Sequence, residues 1–187
     1  MKFIAFGHRK RVGKDTAARF LISDLRIRMP GKKIVKVGFA DKVKDVAFQI
    51  YSWAGLMPGE FYEDDRHMHL REVVLPKIGK TPRQLWIGVG NGIRQASSYD
   101  GTWLDYLLNT VQADVVVIKD MRFPTEADGI KAAGGVIYKI DRPSEPKVTD
   151  GADDPLEDYT GWTGLIKNDT TLNEFHRIIT EISKRHF

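Results

Sequence analysis

Apolar and polar positions follow two rhythms along this chain. Residues 2–6 (KFIAF) form a short apolar run that stops at Gly7 and predicts a strand. DTAARFLISDLRIRM then places apolar residues at 17, 18, 20, 21, 22, 25 and 27, the spacing of a helix with one broad apolar face. Pro30-Gly31 ends it. KIVKVGFA (33–40) predicts a second strand, and DKVKDVAFQIYSWAG (41–55) a second helix with Asp41 as its N-cap. Residues 57–80 are polar and irregular, with room for one short helix. Thr81-Pro82 supplies an N-cap and first-turn proline for a helix through residue 96, and TWLDYLLNTVQ (102–112) predicts another. DVVVIKD (114–120) is the strongest strand, β-branched and apolar on both faces as interior parallel strands are. EADGIKAAG predicts a helix closing at Gly134-Gly135, VIYKI and LIKND two more strands, and residues 170–186 a final amphipathic helix. Residues 141–164 form a long polar segment rich in Asp, Pro and Gly.

Strands alternating with helices indicate an α/β fold with a largely parallel sheet. Ligands of such sheets bind at the carboxyl ends of strands. Polar motifs stand there: HRKRVGKDT follows the first strand, FAD the second and DMRF the strongest one.

Composition narrows the picture. The 187 residues suit one domain, or one domain with a lid-like insertion, and 42% apolar content can fill a core. The net charge of +4 favours anionic partners. The cations are scattered, not gathered into a tail, which disfavours a nucleic-acid arm. There is no cysteine, so disulfides and thiolate metal sites are excluded. No apolar run approaches the ~20 residues that span a bilayer. The N-terminus carries no signal-peptide pattern, and a cytoplasmic location is the expectation. The five histidines lack zinc spacing. DGADD (150–154) and EDD (63–65) lack the calcium-loop pattern and read as solvated, mobile loops.

The segment 7–16 carries the strongest chemistry. A strand, a glycine-bearing turn and a helix N-terminus form an anion site, because backbone N–H groups and the helix dipole point at the ligand. The pattern G-x-x-x-x-G-K-[ST] is not quite met: five residues separate Gly7 from Gly13, and Asp15 follows Lys14. Gly13 permits close backbone approach, and Lys14 can reach β- and γ-phosphates. Asp15 takes the place of a magnesium-binding hydroxyl, and Thr16 offers a hydroxyl one residue later. The bland alternative is a surface turn capped by Asp15. Against it, Arg9, Lys10, Arg11 and Lys14 would repel one another without an anion.

KRVGKDT resembles the K-R-x-G-K-D-T loop of bacteriophage deoxynucleoside monophosphate kinases, members of the P-loop nucleoside monophosphate kinase superfamily. GFADKVK is similar to the family's F-A-x-x-x-K segment, and TPRQLWIGVGNGIRQ to its T-P-R-x-L … G-x-x-x-R stretch. GTWLDYLL resembles its Trp-containing helix. VVVIKDMRFPTEADGIKAAGGVIYKIDRP resembles its strand, D-x-R-F-x-x-E turn, helix, Gly-Gly and strand ending in R-P. IKNDTTLNEF resembles its terminal N-D-x-[ST]-L-x-x-[LF]. The chain departs where the family has Gly and this sequence has His8, and where a [TS]-[ED] pair is replaced at Gly90-Asn91-Gly92. It departs again where H-x-S-E becomes DPLE (154–157).

The resemblance implies a P-loop kinase-like, three-layer α/β/α fold over residues 1–187. Its parts would be a phosphate loop at 7–16, a monophosphate-binding segment near 39–103 and a lid-like loop near 141–164. It implies transfer of the ATP γ-phosphate to a deoxynucleoside 5′-monophosphate with Mg²⁺, in a cytoplasmic protein (the host cytoplasm if phage-encoded) that could pair as a homodimer. Arg11, Val12, Gly13, Lys14, Asp15, Thr16 and the lid's Arg142 would hold ATP, with Asp15 and Thr16 on the metal. Lys10 and Arg11 would lie between donor and acceptor, with Arg122 beside the phosphate loop on the substrate side. Phe39, Ala40, Arg83, Arg94 and Trp103 would surround the monophosphate. Several of these have a second reading. Arg83 and Arg94 can simply pair with acids. Arg122 can clamp Glu126 at i,i+4. Asp120 is either a magnesium-linked acid or a turn cap. Trp103 and Phe39 either flank a base or belong to the core. The rivals are a P-loop kinase of phosphomevalonate, dephospho-coenzyme A or shikimate, and a basic nucleic-acid-binding module.

Overall fold

The computed structural model describes residues 1–145 and 155–187. The chain separates into two compact units, one of residues 1–38 with 108–187 and the other of residues 39–107.

The first unit is built on five parallel strands. These are β1 (Lys2–Gly7), β2 (Ile34–Val37), β3 (Val115–Met121), β4 (Val136–Asp141) and β5 (Gly164–Lys167), in the order β2-β3-β1-β4-β5. β1 is central and buried on both faces from Phe3 onward, so its apolar run is continuous and not alternating. Helices α1 (Lys14–Arg28) and α6 (Leu172–His186) cover one face. Leu21, Leu25, Phe175 and Ile179 pack there against Ile4, Phe6, Val117 and Ile140. Helix α5 (Pro124–Ala132) lies against the neighbouring strands β1 and β4. The expected three-layer α/β/α arrangement is present, and the sheet is wholly parallel. No helix among the described residues is long and apolar enough to cross a membrane.

The second unit contains α2 (Phe39–Tyr51), three 3₁₀ turns, α3 (Pro82–Ser97) and most of α4 (Thr102–Thr110). Its core gathers Ala47, Leu56, Tyr62 and Leu85 with Phe61, Leu70 and Trp86. Helix α3 opens as its sequence requires. The Thr81 hydroxyl accepts from the Gln84 amide at 3.2 Å, and the Gln84 side chain accepts from the Thr81 amide at 3.0 Å.

Four expectations change. The second strand stops at Val37, and Phe39 and Ala40 open α2 instead of prolonging the strand. Gly38 is the break, and Asp41 lies inside the first helical turn, where it complements the helix dipole, not at the cap. Residues 57–80 hold two 3₁₀ turns, at Gly59–Glu63 and Met68–Glu72, in place of one short helix. The EDD stretch is not loose: Lys44 donates to Glu63 at 3.0 Å, and Arg66 donates to Asp64, holding its carboxyl down at about 2.

Part of the segment expected to act as a lid lies within the described residues. DGADD (150–154) lies outside the described residues. Residues 155–164, however, are fastened to the first unit. Leu156 is fully buried, the Tyr159 hydroxyl donates to Asp128 at 2.6 Å, and Lys131 donates to the Gly161 carbonyl at 2.7 Å. The Thr163 amide donates to the Ile137 carbonyl at 2.9 Å. Polar composition concealed this anchoring, because only a few apolar side chains carry it.

Candidate functional site

The first strand ends in a crowded place. A Cβ on Gly7 would stand 2.6 Å from the Met121 methyl and 2.7 Å from the Trp162 ring, so glycine is there for lack of space. The loop proper begins one residue later. His8 has φ +104°, Arg11 φ +60° and Gly13 φ +103°. Interspersed left-handed residues turn successive N–H groups toward one side, which makes an anion-binding concavity. Counted from His8, four residues precede Gly13, and the spacing of a phosphate loop is met. His8, not Gly7, holds the first glycine's position, at a backbone cost of about 1–3 kcal/mol for a non-glycine residue.

Lys14 starts α1 and is 8% exposed. Its ammonium donates to the His8 carbonyl at 2.5 Å and to the Arg9 carbonyl, so it spans the loop. Of the four loop cations, Arg9 is already matched within the protein: its guanidinium donates to Asp141 at 3.1 Å. The mutual repulsion expected of the cluster is reduced accordingly. Lys10 is half-buried and Arg11 exposed. Val12 is fully buried in the α1–α6 core, so its backbone alone faces the loop. Asp15 is exposed in the first turn of α1, and Thr16 is half-buried beside it.

The β1–β3 register pairs Gly7 with Met121. Asp120, the last residue but one of β3, and Arg122, the first after it, therefore flank the start of the loop. The Asp120 carboxylate lies over Gly38, where a Cβ would meet Oδ2 at 2.6 Å. Buried Glu126 accepts the amides of Arg122 and Phe123 at 2.8 and 3.1 Å. The tie between positions 122 and 126 runs through the Arg122 amide, and it fixes the turn that carries Arg122. Arg142 pairs with Glu145 at 3.3 Å.

In the second unit, Phe39 is buried and Ala40 half-buried at the start of α2. The Arg83 guanidinium donates to the Glu72 carboxylate at the surface, so an acid does lie beside it. Arg94 is half-buried in the last turn of α3. Trp103 is 5% exposed and its indole N–H donates to the Gly90 carbonyl at 3.1 Å. That is the core reading; a base-stacking face is not what this ring presents.

Sequence reasoning missed His8, Asn168 and Glu157 as parts of the site. Asn168 Nδ2 donates to the Val12 carbonyl at 2.8 Å, and His8 Nε2 lies 2.8 Å from a Glu157 carboxylate oxygen. The count of four residues back from Gly13 was the available signal for His8. The other two stood in segments already compared with the family, Glu157 at the end of DPLE (154–157) and Asn168 in IKNDTTLNEF, with no role attached to either.

Among the described residues, no three His, Cys, Asp or Glu side chains converge as a metal cage. Magnesium at phosphate sites is held through one or two carboxylates and fills its remaining positions from phosphate and water, and the chemistry of Asp15, Asp120 and the Thr16 hydroxyl fits that requirement.

Strand, left-handed loop, spanning lysine and helix N-terminus together have the form of a P-loop in an α/β fold. No protein-family model matches the chain. A viral protein named "Putative deoxynucleotide monophosphate kinase", from Acanthamoeba polyphaga mimivirus, is 26% identical over 187 residues, covering 89% of this chain and 88% of its own length. The resemblance read from the motifs is borne out by this relative, which comes from a giant virus and not a bacteriophage. Two solved structures are also similar: a shikimate kinase from Aquifex aeolicus (13% identity, TM-score 0.43) and a putative kinase from Chloroflexus aurantiacus (10% identity, TM-score 0.41). They cover 99% and 100% of this chain, and it covers 97% of each of them.

Proposed function

We propose that the chain is an ATP-dependent phosphotransferase that converts a deoxynucleoside 5′-monophosphate to its diphosphate. The observation that carries this reading is the loop between β1 and α1, with Lys14 drawn across it onto two loop carbonyls. The viral relative's name supports the acceptor class.

Phosphoryl transfer needs alignment and charge stabilisation more than acid–base chemistry, because the attacking phosphate oxygen is already anionic. The loop amides from Arg11 to Thr16 and the Lys14 ammonium bind the donor phosphates. On arrival of a β,γ-phosphate, Lys14 exchanges carbonyl partners for phosphate oxygens, trading neutral acceptors for charged ones. Lys10 and Arg122 meet the transferring group, and the Glu126 tie keeps Arg122 from swinging away. Arg83 and Arg94 hold the acceptor phosphate, with Arg83 leaving its surface pair with Glu72 at little cost. Phe39 and Ala40 shape the acceptor end of α2, Trp103 supports that unit from its core, and Arg142 answers the donor phosphates from the end of β4. Asp15, Thr16 and Asp120 would hold Mg²⁺, which neutralises β- and γ-phosphate charge when bound.

A coupled assay of ADP release tests this across the deoxynucleoside and ribonucleoside monophosphates, with shikimate, phosphomevalonate and dephospho-coenzyme A as further arms. Turnover with one or more deoxynucleoside monophosphates is the expected result. Turnover confined to a non-nucleotide arm, or none with any acceptor, overturns the assignment.

A further inference from the structure

We propose that His8 is a positioning residue that works as an imidazolium, tying the phosphate loop to Glu157 and making the loop's grip on a nucleoside triphosphate depend on one proton. The dependence on nucleotide rests on the function proposed above; the protonation state does not.

The ring is 2% exposed. Its Nδ1 lies 3.0 Å from the Ile140 carbonyl oxygen, and its Nε2 lies 2.8 Å from Glu157 Oε2. A carbonyl only accepts, and an ionised carboxylate only accepts. A neutral imidazole has one N–H and can satisfy one of them, leaving the other facing a lone pair. Two acceptors therefore require two donors, the imidazolium, unless Glu157 itself carries the proton. The charged groups around the ring are mixed. Asp141 Oδ1 stands 3.9 Å from Nδ1 and is shared with Arg9, Lys14 holds the His8 carbonyl, and Lys139 donates to the Glu157 carbonyl at 3.3 Å. The three cations oppose the proton, while the two carboxylates favour it, one of them in direct contact.

Two further observations give the tie a purpose. The backbone of His8 sits at φ +104°, a conformation that glycine adopts freely and histidine does not. The ring is what is gained by keeping histidine there. The His8 carbonyl is also one of the two that hold the Lys14 ammonium. Where His8 is pinned, Lys14 is aimed. Loss of the ring proton as pH rises would leave one nitrogen facing an acceptor, loosen the start of the loop and let Lys14 wander.

The test uses the full chain. Nitrogen-15 spectra of the histidine side chains, with His8 assigned through His8→Gly, should show both ring nitrogens protonated at pH 6–7. Calorimetric affinity for Mg-ATP should fall on the order of tenfold as His8 titrates, the factor that one charge-assisted hydrogen bond is worth. In Glu157→Gln the carboxamide can donate to Nε2, so a neutral His8 protonated on Nδ1 satisfies both partners. That variant should lose the imidazolium signature near neutrality and bind Mg-ATP with a flattened pH profile. His8→Gly should fold, bind more weakly than the parent at pH 6, and show no such step. A singly protonated His8 in the parent at pH 6–7 overturns the proposal, as does a His8→Gly variant that keeps the parent's affinity and profile. If the parent binds no Mg-ATP, the functional reading falls while the spectra still decide the state of His8.

Discussion

The Asn168 carboxamide donates to the Val12 carbonyl at 2.8 Å, and its Nδ2 lies 2.5 Å from the point where a Cβ on Gly13 would stand. A residue 156 positions away thus holds the phosphate loop by its last two members. Val12 is pinned in the core from below, and Asn168 closes over it at the end of β5. Gly13 is needed twice, for its left-handed backbone and for the nearness of this carboxamide. Gly13→Ala should destabilise the protein by about 1–3 kcal/mol through backbone strain, and more where the methyl meets Asn168. Asn168→Ala should cost about 1 kcal/mol for the lost hydrogen bond. The double variant should cost less than the two together, because the second change removes the obstacle to the first. Thermal unfolding of the four proteins gives the coupling, and strict additivity would show that the two residues do not meet.

Lys14 and Arg122 should separate in kinetics. Lys14→Ala should keep the far-ultraviolet circular dichroism of the parent while turnover falls by roughly 10²–10⁴ and Mg-ATP affinity drops. Arg122→Ala should lower kcat far more than it weakens ATP binding, since its proposed contact is with the group in transit. Steady-state kinetics with calorimetry on both variants decides this. An Arg122→Ala enzyme with normal kcat and weakened ATP binding would move that residue to the donor side.

The elements were readable because their signals are local. β3 is apolar on both faces over most of its length, as a strand between two neighbours must be, and Thr81 with Pro82 and Gln84 writes its own capping box. Lys14, Asp120 and Arg122 could be placed for the same reason: each ends or follows a strand whose position was evident. What stayed hidden depends on contacts far along the chain, or on backbone sign. Phe39 and Ala40 continue an apolar run, and nothing within that run says that the helix begins there. Leu156 and Trp162 sit in a polar stretch, yet Leu156 is buried and the Trp162 ring crowds Gly7. His8 looks like an ordinary polar turn residue until its φ is known. Arg9 counted among four mutually repelling loop cations because its partner Asp141 comes 132 positions later.

Tyr159 gives a prediction in pH. Burial first, and then its hydrogen bond to the Asp128 carboxylate, push its hydroxyl up from 10.0 to about 12. The folded state therefore favours the neutral phenol more than the unfolded chain does. By linkage, its contribution to stability is complete below pH 10 and is lost as pH rises toward 12. Difference titration of phenolate absorbance between the parent and Tyr159→Phe should show the missing step at the alkaline end. A missing step near 10 would mean that the hydroxyl is free in solution. Limited proteolysis of Tyr159→Phe should also cut residues 155–164 faster, since that segment loses its bond to α5.

Gly38 and Asp120 provide the last prediction. The carboxylate lies flat over the glycine, with Oδ2, Cγ and Oδ1 at 2.6, 2.9 and 3.0 Å from a Cβ built there. Alanine at 38 cannot be added without moving Asp120, because Oδ2 and Cγ are nearer than real Cβ contacts allow and Oδ1 is nearly so. Gly38 has no left-handed backbone, so strain of that kind contributes nothing. The effect should fall on the position of one carboxylate. If Asp120 helps to hold magnesium, Gly38→Ala should raise the magnesium concentration needed for half-maximal turnover by about 10–100-fold, the usual penalty for disturbing the support of a metal ligand. Asp120→Asn should do the same with no steric change, and its apparent magnesium requirement is the control. An unchanged magnesium titration in both variants, with normal turnover, would leave Asp120 as the cap of its turn.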